Sequence, residues 1–97
     1  MIGSFGDRVT EDIYHNRATR RARRFPRDIL GKAQIKLDML NAASAMLDLG
    51  SPPGNRLELL KGDLEGFYSI RVNDQWRVVF RWEGSNAYDV RLTDYHD

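Results

Sequence analysis

No cysteine occurs in the 97 residues, which excludes disulfides, thiol nucleophiles and cysteine-held zinc. No apolar run approaches the roughly 20 residues that cross a bilayer. The opening Met1-Ile2-Gly3-Ser4-Phe5-Gly6-Asp7 has no basic segment followed by an apolar stretch, so it does not read as a secretory leader. Cytoplasm is therefore the expected location, with no membrane partner. Histidine is scarce: His15 and His96 lie at opposite ends of the chain, and no ligand spacing supports a metal site. No cofactor is expected. Gly54, Gly62, Gly66 and Gly84 fall in turn-like contexts and form no phosphate-binding loop, and no serine sits in a hydrolase motif.

What remains is an ordinary globular composition, 41% apolar and 30% charged, of a length for one domain spanning residues 1–97. Net charge is only +1, but it is unevenly spread. Residues 17–36 carry Arg17, Arg20, Arg21, Arg23, Arg24, Arg27, Lys32 and Lys36 against Asp28 alone, a local +7 that leaves −6 for the rest. Such polarity suits either a solvated basic loop or an anionic partner. In the second case Arg20, Arg21, Arg23 and Arg24 are the candidate RNA contacts.

Residues 2–5 read as a short first strand and residues 7–16 as a helix presenting Val9, Ile13 and Tyr14. Phe25-Pro26 punctuates the chain, since proline disfavours helical geometry just before it and suits early helix positions. A long helix is expected from Arg27 to Leu49, closed by Gly50. One stripe of it holds Ile29, Ala33, Leu37, Leu40 and Leu47; the other holds Ile35, Met39, Ala42, Met46 and Leu49. One stripe should cover a sheet, and the other should meet the first helix or a partner.

The second half reads as strands. Tyr68, Ile70 and Val72 alternate with Phe67, Ser69 and Arg71, and Trp76, Val78, Phe80 and Trp82 with Arg77, Val79 and Arg81. Facing residues share a face, so pairing Val72 with Trp76 unites the apolar sets and leaves Asn73-Asp74-Gln75 as the loop. The same register sets Arg71 opposite Arg77. Like charges across a strand pair are unfavourable, so the face bearing Arg71, Arg77 and Arg81 either meets an anion or is neutralised by carboxylates. A second hairpin through Glu83-Gly84-Ser85-Asn86 leads to a last strand where Tyr88, Val90 and Leu92 alternate with Asp89, Arg91 and Thr93. The fold class is α+β, helices over one face of a mostly antiparallel sheet.

The chemistry left to such a face is acid–base catalysis beside arginine. RNA carries its own nucleophile in the 2′-hydroxyl, so cleavage requires a base, an acid and cations for the phosphorane. A histidine such as His96 titrates near neutral pH and suits either proton role. Arg71 and Arg77 suit the scissile phosphate. Asp94 can orient His96, and Tyr95 can stack on a base or stabilise a phosphate oxygen.

The order of elements, Leu57-Glu58-Leu59-Leu60-Lys61-Gly62-Asp63, the strand Gly66-Phe67-Tyr68-Ser69-Ile70-Arg71, Asn73-Asp74-Gln75-Trp76-Arg77 and the ending Asp94-Tyr95-His96 together resemble HigB-type toxins. These are the plasmid maintenance system killer branch of the RelE/ParE superfamily, and the link Ser51-Pro52-Pro53-Gly54-Asn55-Arg56-Leu57 is similar to that of GraT-like members. The resemblance implies a microbarrel with two N-terminal helices, and ribosome-dependent cleavage of mRNA in the A site. It also implies a HigA-type helix-turn-helix antitoxin, through which operator DNA is bound. By position, Arg77 matches the family's phosphate-stabilising arginine, and Asp94, Tyr95 and His96 its C-terminal catalytic group; Lys61 and Arg71 would add phosphate contacts. Glu58 stands where some members have a catalytic histidine. A carboxylate is the weaker base, so a mild toxin is expected, with Glu58 or His96 taking the proton. Two other functions fit the same fold: a ParE-like inhibitor of DNA gyrase without catalysis, and an RNA-binding growth inhibitor that does not cut.

Overall fold

The computed structural model describes residues 1–50 and 53–94. Helix α1 (Arg8–Tyr14) begins at Asp7, whose carboxylate accepts the Thr10 N–H at 2.9 Å, a standard N-terminal cap. Helix α2 spans Arg27–Ala42, and a single turn, α3, spans Met46–Leu49. The sheet comprises β1 (Glu58–Leu59), β2 (Tyr68–Arg71), β3 (Trp76–Glu83) and β4 (Asn86–Asp94), antiparallel in the order β1-β2-β3-β4. The expected α+β class, with helices over one sheet face, is what the chain forms.

Ile29, Ala33, Leu37 and Leu40 of α2 are buried against Ile70, Val72, Val78, Phe80, Val90 and Leu92 of the sheet. The β2–β3 hairpin has the expected register, with Arg71 paired to Arg77. Its loop is shaped by Asn73, whose side-chain oxygen accepts from the N–H groups of Gln75 and Trp76 at 2.9 and 2.8 Å, an Asx turn.

Three expectations are corrected. The helix from residue 27 stops at Ala42 rather than Leu49, because Ala43 turns extended (ψ 131°). The Asp48 carboxylate then accepts from Ser44 N and Ala45 N at 2.9 and 3.1 Å and starts α3. The break rotates the stripes: Leu47, expected on the stripe of Ile29, Ala33, Leu37 and Leu40, is 88% exposed, and Leu49, expected on the other stripe, is 1% exposed. Next, alternation along β4 is interrupted. Val79 pairs with Arg91 but Arg81 with Tyr88, an extra residue on β4 centred on Asp89 at φ 53°. This bulge puts Ala87 in the core in place of Tyr88, because the two residues on its far side exchange faces. Finally, residues 2–5 form two parallel bridges to β4, Ile2 with Ala87 and Phe5 with Val90, rather than a continuous strand.

Candidate active site

Glu58, Ser69, Val79 and Arg91 form one cross-strand row, and Arg71, Arg77 and Thr93 the next, all on the sheet face away from α2. Arg77 is central. Its side chain is 9% exposed, and a buried guanidinium must have its donors satisfied. Nε donates to Ser69 Oγ at 2.7 Å, and Nη2 donates to the Arg56 carbonyl at 2.5 Å. Nη1 faces Glu58 Oε1 at 4.0 Å, and the Glu58 side chain is 49% exposed. The guanidinium is thus oriented from behind by a hydroxyl and a carbonyl, with a carboxylate open to solvent at its rim.

The Arg56 carbonyl is aimed by a local device. Arg56 has φ 44°, in the left-handed region, and follows Asn55, which is buried. Asn55 Nδ2 donates to the Leu49 carbonyl at 3.1 Å, and its Oδ1 accepts from Lys36 Nζ. The Lys36 ammonium therefore ties α2 to the segment that carries the Arg77 acceptor. Burial, and then the charge of Arg71, hold the Lys36 pKa below the ordinary lysine value.

The other expected residues divide. Arg71 stands across from Arg77 but is paired with Asp74, an exposed carboxylate three residues on. Arg81, considered for the anion-facing set, is neutralised by Asp89 at 2.7 Å and Glu83 at 3.0 Å. Lys61 is exposed just after β1. Asp94 pairs with Trp76, on the opposite face from Arg77, and accepts from Gln75 Nε2 at 3.2 Å. Tyr95 and His96 lie outside the described residues. In the basic stretch, Arg21 donates to Asp12 at 2.5 Å and Arg17 approaches the same carboxylate at 3.6 Å. Arg20, Arg23 and Arg24 are exposed and, among the described residues, form no ion pair.

Asp12 is 3% exposed and went unread in the sequence. Burial acts to raise its pKa; hydrogen bonds from Arg21 and Thr19, with the charges of Arg21 and Arg17, outweigh burial and hold it below the ordinary carboxylate range. Arg91 was also missed as a member of the Arg77 face, where its guanidinium lies 5.5 Å from the Phe67 ring centroid, a cation–π distance. Its alternation with the buried Val90 and Leu92 carried that signal, whereas a register counted on from the second hairpin would have set it opposite Val78 on the core face, because the bulge shifts the pairing. Ser69 and the Arg56 carbonyl had no comparable signal, since neither a small hydroxyl nor a main-chain oxygen announces its partner. Among the described residues, no group of three His, Asp or Glu side chains is assembled that could hold a metal ion.

A family model described as "RelE-like toxin of type II toxin-antitoxin system HigB" matches residues 3–96. Toxin HigB-1 of Vibrio cholerae is 45% identical over 92 residues, covering 95% of each chain. The Endoribonuclease HigB of Proteus vulgaris is 44% identical over 41 residues, 42% of this chain and 45% of that one. The fold is also that of a solved YoeB–YefM complex from Staphylococcus aureus, at TM-score 0.60 and 16% identity, covering 100% of this chain and 99% of that one. The chain belongs to the HigB family of RelE-like toxins of type II toxin–antitoxin systems.

Proposed function

We propose that this toxin is an endoribonuclease that cuts mRNA in the ribosomal A site, with the RNA 2′-hydroxyl as nucleophile and without a metal. The observation that carries the reading is Arg77, fixed by Ser69 and the Arg56 carbonyl beside the half-exposed Glu58. A guanidinium held in this way can donate to the non-bridging oxygens as their charge develops, with little reorganisation during the reaction. The relative named Endoribonuclease HigB supports the same reaction class.

Glu58 accepts the 2′-hydroxyl proton as O2′ bonds to phosphorus. Arg77, aided by Arg71 and Lys61, stabilises the phosphorane. The bond from phosphorus to O5′ then breaks, and His96 supplies the proton to O5′, leaving a 2′,3′-cyclic phosphate and a 5′-hydroxyl. Tyr95 stacks on the base or holds a phosphate oxygen. Asp94 acts from the other face of the sheet, fixing the end of β4 through Gln75 rather than touching the phosphate. The antitoxin is of HigA type and carries the operator contacts, and the pair works in the cytoplasm.

The chemistry is checked on programmed ribosomes by mapping product ends. The expected ends are 2′,3′-cyclic phosphate and 5′-hydroxyl, with no cleavage when the nucleotide 5′ of the cut lacks its 2′-hydroxyl and full cleavage in EDTA-treated toxin. Products with 3′-hydroxyl ends would refute 2′-hydroxyl attack.

A further inference from the structure

We infer that the groove between the arginine-rich turn and the start of β3 binds an unpaired base of single-stranded RNA, with the flanking phosphates on Arg24, Arg20 and Arg23. The inference rests on the ribonuclease reading for its ligand class but concerns a place separate from the Arg77 face. The groove has a volume of about 630 Å³ and is lined by Val9, Arg24, Phe25, Ile29, Gln75 and Trp76, within the size range of small-molecule sites. The rings of Trp76 and Phe25 pack edge to face, centroids 5.0 Å apart at 71°. An aromatic platform walled by apolar side chains suits a nucleobase, since every base has a π-face to stack.

Charge supports a polyanion around that base. Residues 17–27 hold six arginines and no acidic residue. The buried Asp12 takes up Arg21 and Arg17 and so fixes the turn, leaving Arg20, Arg23 and Arg24 facing solvent. Among the described residues lining the groove, Asp28 is the single carboxylate.

Continuity favours RNA over a peptide. Trp76 directly precedes Arg77, so the groove and the anion site open at the same end of β3, one on each face of the sheet. Gln75, in the turn between them, both lines the groove and bonds Asp94 at the end of β4. A strand of nucleotides leaving the Arg77 face crosses that short turn to enter the groove.

The probe is a 2′-O-methyl hexanucleotide, which cannot be cleaved by 2′-hydroxyl attack. The chain has two tryptophans, so Trp82→Phe leaves Trp76 as the sole indole reporter. The oligonucleotide should quench its fluorescence saturably. An abasic oligomer of equal length should bind about tenfold more weakly, the scale of one lost base stack, without quenching. Arg24→Glu should weaken binding and lower its salt slope by about one unit. In wild type, the two indole N–H signals in nitrogen-edited NMR give the same readout without a core substitution. Quenching that survives Arg77→Ala separates this site from the Arg77 anion site. Equal quenching by the abasic oligomer, or an unmoved Trp76 signal in wild type, overturns the inference. So does a Trp76 signal that responds to the purified antitoxin alone, which would assign the groove to protein.

Discussion

Single residues set the electrostatics of this toxin. Asp12 anchors Thr19, Arg17 and Arg21 from inside the protein, and its folded-state pKa is lowered. The unfolded chain therefore takes up the proton first as pH falls. The stability that Asp12 contributes is present above the ordinary aspartate pKa of about 3.9 and is lost as pH falls through the lower folded value. Asp12→Asn is expected to flatten the acid limb of the melting temperature against pH below about pH 4; an unchanged limb would remove Asp12 from that role. Ser69 serves Arg77 in a comparable way. Ser69→Ala leaves a buried guanidinium N–H without its acceptor, at a cost of about 1–3 kcal/mol. Chemical denaturation measures that loss, and a drop in cleavage rate larger than the drop in folded fraction would mark Ser69 as positioning Arg77.

At the scale of elements, what could be read in the sequence depended on where the determining contact lies. The β2–β3 hairpin was legible because facing residues must share a face, and only one short loop, Asn73 to Gln75, satisfied both strands. The end of α2 was not legible. Ala43-Ser44-Ala45 contains neither glycine nor proline, and the break is imposed from downstream by the Asp48 carboxylate. Asp48→Ala is expected to cost about 1 kcal/mol, as a lost helix cap does, measured by thermal unfolding. The bulge in β4 was hidden for a similar reason. Its Asp89 N–H donates to Ser4 Oγ at 2.9 Å from 85 residues away. A Cβ on Gly6 would lie 2.9 Å from the Asp89 carbonyl, so the first segment closes on the bulge only with glycine there. Asp89→Val forces a β-branched residue to positive φ and should destabilise by about 1–3 kcal/mol. A neutral result would show that the bulge can relax. In the candidate site, Glu58 and Arg77 were read by position in the motif and by alternation. Asn55, by contrast, acts through a loop closed in three dimensions.

Taken as a whole, the molecule separates two cationic regions. One is the Arg77 face, where Glu58, Asp74 and Asp89 answer much of the positive charge. The other is the 17–27 turn, where Arg20, Arg23 and Arg24 remain outside any ion pair among the described residues. Long-range attraction to RNA should therefore come mainly from the turn, and chemistry from the sheet face. Reversing Arg20, Arg23 and Arg24 to glutamate is expected to weaken ribosome association and flatten its dependence on salt; co-sedimentation with ribosomes across a salt series checks this. The most direct test of the reaction itself is the single-turnover rate of mRNA cleavage on programmed ribosomes for wild type, Arg77→Ala, Arg77→Lys and Glu58→Gln, each verified as folded. A fixed guanidinium as the charge-stabilising group predicts a loss of about 10²–10³ in Arg77→Ala, poor rescue by lysine, which lacks the planar fork, and a loss of about 10²–10⁴ in Glu58→Gln for the missing base. Wild-type rates in Arg77→Ala would contradict the account at its centre.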